Sequence, residues 1–187
     1  DMKAQLTAIP SAALTPDERV DQRILSGVID GWLLDLEVAK SWQRNPMIYA
    51  SAITDGVHNL MTMESSPAEL RMQRVRAKLR GVPALLDAAR ANLANPPRIL
   101  AERGLGMFQG ASAMLANDLA LALAEPRGAA FDSMMTEAAT AGAALDAFIA
   151  EYPRTILARA NGTIALGTEY VEARYRAEEL IDVPSAR

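Results

Sequence analysis

A chain of 187 residues, half of them apolar, is long enough to bury one well-packed core or two small ones. Its formal net charge of −4 argues against a dedicated nucleic-acid binder, whose affinity rests mostly on neutralising phosphates. The lack of any cysteine excludes disulfides, thiolate zinc sites and cysteine nucleophiles, while leaving the compartment open. No apolar run reaches the roughly 18 to 20 residues that a membrane-spanning helix needs. The longest candidate, Ala113 to Ala124, carries Asn117 and Asp118 in its middle. The sequence opens at Asp1 with neither a basic n-region nor an apolar h-region. Location therefore stays open between the cytoplasm and export after removal of a signal peptide.

The prolines punctuate the chain. Thr15-Pro16-Asp17-Glu18 and Ser66-Pro67-Ala68-Glu69 share one form: a capping hydroxyl, proline at the first helical position and glutamate at the third. After the first box, Val20, Ile24, Leu25, Val28, Ile29, Trp32, Leu33 and Leu36 make a broad apolar stripe of helical period. Asn45-Pro46 breaks the chain before a helix from about Met47 to Met63. The second box opens a helix at Pro67 that carries Val75 and Leu79, and Gly81 with Pro83 interrupts or kinks it. Val82, Leu86, Ala89 and Leu93 then stack on one side of a core helix that ends at Pro96-Pro97. A long helix is expected from about Pro97 to Ala124, with Met107, Phe108, Ala111, Met114, Leu115 and Leu119 inward. Another runs from Gly128 to Glu151, with Phe131, Met134, Met135, Ala138, Leu145, Phe148 and Ile149 inward, and Pro153 ends it. Asn161-Gly162 suits a type I′ turn, so Ile156 to Leu166 is a candidate hairpin. Gly167-Thr168 starts a last amphipathic helix, Glu169 to Ile181, and Asp182 to Arg187 reads as a linker or tail. The expected fold is all-α: one domain over residues 1–187, an irregular antiparallel bundle of six or seven helices, with that single hairpin the only β-structure.

Few residues offer chemistry. Gly104, Gly106 and Gly110 miss the dinucleotide fingerprint by one residue and follow a helix rather than a strand, so close helix packing at Gly106 and Gly110 is expected. His58, the only histidine, has Asp55 one turn before it and Glu64 further on, far short of a zinc or di-iron ligand set. No Gly-x-Ser-x-Gly elbow exists for a triad around it. Arg71, Arg74, Arg76, Lys78 and Arg80 form the densest charge run; with no aromatics interleaved, it reads as a solvated face rather than an anion site. Trp42 to Tyr49 places two aromatics and Arg44 at a helix break, where packing of a corner competes with lining of a cleft. Arg44, Tyr49 and His58 are the candidate cleft-facing residues. No catalytic, cofactor-binding or metal-ligating residue can be assigned.

Three segments together resemble one family, the bacterial domain-of-unknown-function-885 proteins. They are Arg44-Asn45-Pro46-x-x-Tyr49, Val82-Pro83-x-Leu85-Leu86-x-x-Ala89-x-x-Asn92-Leu93-x-Asn95-Pro96-Pro97, and Ala165-Leu166-Gly167-x-x-Tyr170. The resemblance implies a longer, largely helical protein related in architecture to zinc peptidases of the His-Glu-x-x-His type, in which two histidines one turn apart hold zinc and the glutamate activates water. This chain has no His-Glu-x-x-His, so no catalytic residue carries over. The expectation is a non-catalytic amino-terminal helical region that forms a wall or lid of a substrate cleft. Zinc would then be held only by a carboxy-terminal half, that half would be the partner, and a peptide the substrate. The alternative is a free-standing helical module that binds a protein or a small ligand.

Overall fold

A computed structural model describes residues 1–64, 66–179 and 181, and every regular element among them is helical. In chain order these are α1 (Met2–Thr7), α2 (Pro16–Leu33), α3 (Ser41–Arg44), α4 (Met47–Thr62), α5 (Ala68–Arg80), α6 (Val82–Asn92), α7 (Arg98–Ala113), α8 (Leu119–Ala122), α9 (Ala129–Thr155) and α10 (Thr168–Arg174). Three π-helical segments extend them: Leu34–Ala39 after α2, Met114–Asp118 between α7 and α8, and Tyr175–Glu179 after α10. The all-α helical bundle expected from the periodicity is the fold found. Two compact units make it up, one from Asp1–Ser41 with Ile164–Arg187, the other from Trp42–Thr163.

In the first unit, α2 starts as its capping box predicts. The Thr15 hydroxyl accepts from the Glu18 N–H at 3.3 Å, and the Glu18 carboxylate accepts from the Thr15 N–H at 2.8 Å. That backbone bond, with help from the Thr15 hydroxyl, holds the Glu18 carboxyl below its ordinary value. α1 folds onto α2 through Gln22, whose amide donates to the carbonyls of Leu6 and Ile9 at 3.1 and 3.0 Å, and through a Lys3–Asp30 ion pair. The apolar stripe of α2 behaves differently from its expectation. Its buried positions are Gly27 and Gly31, whereas Ile24, Leu25, Val28, Trp32 and Leu36 stay between 41% and 61% exposed.

In the second unit, α9 packs against α5, α6 and α7 and carries the core. Phe108, Phe148 and Tyr152 form an aromatic cluster with centroids 4.8 to 6.0 Å apart and tilted or edge-on rings. The helical spacing of Val82, Leu86, Ala89 and Leu93 is matched by burial of all four. Full burial of each such leucine contributes on the order of 1.5–3 kcal/mol. No described helix is long and apolar enough to cross a membrane.

Three expectations about element ends are corrected. Pro67 adopts an extended ψ of 146° and lies outside α5, so Ser66 is too far from the helix to cap it; its hydroxyl accepts from Arg74 at 3.3 Å instead. Pro153 does not end α9, which runs on to Thr155. A proline N–H is lost at one position only, and the fully buried Tyr152 beside it anchors the last turn, with its carbonyl accepting from the Ile156 N–H at 2.9 Å. The candidate hairpin is absent: Ile156 is core, Leu157–Arg159 is a 3₁₀ turn, and the segment makes a lone parallel bridge from Gly162 to Pro97. The expected linker or tail, Asp182 to Arg187, lies outside the described residues.

Replacing the α2 cap, Thr15→Ala, removes the hydroxyl half of the box while the residue 15 N–H can still donate to Glu18, and is expected to cost about 1 kcal/mol, read as a lower denaturant midpoint at unchanged slope.

Candidate functional site

The break between α3 and α4 is built by its own sequence. Asn45 turns its side-chain oxygen back to accept from the Met47 N–H at 3.1 Å, and Pro46 then opens α4. One turn in, Tyr49 is 5% exposed. Its hydroxyl donates to the Trp42 carbonyl at 2.7 Å and accepts from the Asn92 amide at 3.0 Å, which joins the corner to the end of α6. Arg44 donates to the Thr163 carbonyl. Pro46 lies so close to α7 that a Cβ at Gly104 would sit 2.9 Å from its ring and 3.1 Å from the Tyr152 hydroxyl.

After α6, the Asn95 side chain accepts from the Asn161 N–H at 3.1 Å, and the Pro96 carbonyl accepts from the Gly162 N–H at 3.3 Å. The approach is tight: a Cβ on Gly162 would fall 2.3 Å from the Asn95 carbonyl oxygen. Two of the three segments that carry the family resemblance therefore meet here and bond to one another. Arg44 and Tyr49 share this corner. His58 does not join them; it lies about two and a half turns further along α4, exposed on the opposite side of the helix from Tyr49.

The arginine run of α5 is engaged within the molecule. Arg71 is buried, and its guanidinium donates to the carbonyls of Leu60 and Met61 at 3.3 Å, closing the carboxy-terminal end of α4. Arg80 and Arg76 both reach Glu137 on α9, at 2.7 and 3.5 Å. The hydrogen bond from Arg80, reinforced by both positive charges, holds the Glu137 carboxyl below its ordinary value against a smaller effect of burial. Further along the same side of α9, Arg90 stacks over Phe148 at 5.1 Å and pairs with Glu151 and Asp87. Burial works against its charge, but those carboxylates outweigh burial and raise its pKa. Burial likewise pushes the Tyr152 phenol well above its ordinary range, while its hydroxyl donates to the Ala101 carbonyl at 3.0 Å.

Chemically, the corner is a closed hydrogen-bond network. Tyr49 both donates and accepts, Arg44 holds a backbone carbonyl, and no base stands against a nucleophile. The residues present do not fit zinc: among those described, no group of three or more His, Asp or Glu side chains could hold a metal ion. The open hollows lie elsewhere, one of about 480 Å³ lined by Leu6, Ile9, Arg19 and Arg23, another of about 410 Å³ lined by Trp32, Leu36, Arg174 and Glu178. Close packing expected at Gly106 and Gly110 is corrected, since nothing lies within 4 Å of a Cβ at either; the close approach is at Gly104. Tyr152 was not legible as a contact from spacing alone, because its hydroxyl partner is a backbone carbonyl on another helix.

An all-α protein whose recognisable motifs join its helices to one another is the class that these elements define. The chain belongs to the family described as bacterial protein of unknown function (DUF885), whose model matches residues 1–186. No curated protein matches the sequence. In fold it is similar to a solved structure from Shewanella oneidensis described as a putative lipoprotein of unknown function, with a TM-score of 0.81 at 23% identity. The likeness covers 93% of this chain and 32% of that one, so the chain spans about a third of the length of the protein it matches.

Two outcomes test the corner and the arginine pairs. Gly162→Ala forces backbone apart and is expected to destabilise by more than 1 kcal/mol, whereas Gly106→Ala, in open helix, stabilises by about 0.5–1 kcal/mol; paired denaturation curves separate them. For Glu137 the folded carboxyl is lowered from 4.5, so its contribution is present above that value and is lost as pH falls through the folded pKa. Glu137→Gln is therefore expected to lower Tm at pH 7, with the difference from wild type closing as the pH is taken down through the lowered pKa.

Proposed function

We propose that this chain is the helical, non-catalytic region of a longer hydrolase, one wall of a substrate cleft whose chemistry is supplied by residues outside 1–187. The observation that carries it is the coverage: the same fold accounts for 93% of this chain but 32% of the Shewanella chain. The motif residues fit that role, because Tyr49, Asn92, Asn95 and Gly162 secure helix ends and leave the reaction to other residues. The resemblance of this family to zinc peptidases makes a peptide the substrate class, with zinc bound outside these residues. Export follows the same likeness, since the Shewanella protein is described as a lipoprotein.

The test is the natural gene product purified from its source cells. A product far longer than 187 residues, carrying about one zinc per chain by elemental analysis and hydrolysing peptides, is expected; the 187-residue chain by itself should bind none. A product of about 187 residues, or a longer one without metal and without hydrolysis, overturns the proposal and leaves a helical binding module.

A further inference from the structure

The apolar stripe of α2 is wider than the helices that pack on it. Numbered around the helix at 100° per residue, Gly27 and Gly31 face one way, and there the Glu178 side chain closes on Gly31, with its Cγ 2.9 Å from where a Cβ would stand. Gln22 and Asp30 face another way and hold α1. Between these two contacts lies an arc formed by Ile24, Leu25, Val28, Trp32 and Leu36, at 52%, 52%, 41%, 61% and 55% exposure. Ile24, Val28 and Trp32 are four residues apart on α2, so they form one continuous ridge of about two turns, which Leu36 extends into the π-helical segment; such a ridge inserts into the groove of a second helix. Scattered exposed leucines are ordinary, but a contiguous ridge that includes a tryptophan marks an interaction surface.

We propose that this ridge is the seat of a helix from the same polypeptide outside residues 1–187, an inference that rests on the longer hydrolase put forward above. Two features favour that occupant over an unrelated partner. The fold is shared over nearly all of this chain with a protein of which it is only 32%, so about two thirds of such a polypeptide must pack against something. From Ile24 to Trp32 the ridge carries no charged residue, and Asp21 and Asp35 stand at its two ends, unlike the paired arginine faces of α5. An amphipathic helix with leucine, methionine or aromatic knobs is the complement such a surface takes.

The absence of cysteine from the chain makes the test clean. Val28→Cys, and independently Ile24→Cys, are placed both in the 187-residue chain and in the full-length gene product with its other cysteines replaced by serine. Labelling by a maleimide is expected to be fast in the short chain, at least tenfold slower in the folded full-length protein, and fast again in denaturant. Equal rates in the two folded proteins overturn the proposal. So does slow labelling in the short chain, where a doubled mass by light scattering would identify a second copy as the cover. Zinc content and peptide hydrolysis of the full-length variant report on the cleft separately, so a labelled, unprotected ridge in an active zinc enzyme fails this inference alone.

Discussion

Tyr152 and Gly104 set the geometry of the second unit between them. The tyrosine hydroxyl, fully buried, must find a partner, because an unmade bond there costs about 1–3 kcal/mol. It finds the Ala101 carbonyl across the space that a glycine one turn later leaves open, and the ring of Pro46 fills what remains. A methyl group at Gly104 would push α7 away from both. The position of α9, the start of α4 and the aromatic cluster with Phe108 and Phe148 all depend on this one contact.

Much of the body was legible in the sequence. Helical period alone placed Val82, Leu86, Ala89 and Leu93, and likewise Phe131, Met134, Leu145 and Phe148, because in a core helix the buried face is the apolar face. The capping box at Thr15 was readable for the same local reason. Failures came where tertiary partners decide. Ser66 and Thr15 head similar strings, yet Pro67 stays extended and Ser66 serves Arg74. Pro153 reads as a stop, but the packing of Tyr152 carries the helix through it. The stripe on α2 looked like core, since periodicity reports that a face is apolar and says nothing of what covers it. At the corner, the residue types of Arg44 and Tyr49 favoured packing while leaving a cleft open; only their carbonyl partners, Thr163 and Trp42, show how they are bonded.

Several arginines of the second unit stand where a carboxylate or an open helix end awaits them. Arg71 closes α4, Arg76 and Arg80 converge on Glu137, and Arg90 lies between Glu151, Asp87 and the face of Phe148. Guanidinium geometry suits each of these, since its planar fork can bond and stack at once. Exposed pairs of this kind contribute little energy singly. Their larger effect is on register, because Arg71 ties α5 to α4, Arg76 and Arg80 tie α5 to α9, and Arg90 ties α6 to α9.

The first unit is assembled from both ends of the chain, with Trp42–Thr163 between them. For an open chain, bringing residues 41 and 164 together would cost about 4 kcal/mol of loop entropy for ~120 intervening residues. Arg44 holding Thr163 changes that, because it fixes the two ends of the intervening unit side by side once that unit has folded. The residue that closes on Gly31 of α2 is Glu178, in the π-helical segment after α10, so this packing needs both flanks of the intervening unit. The corner at Arg44 thus serves as a closure point, which spares α2 and the segment after α10 a long search for one another.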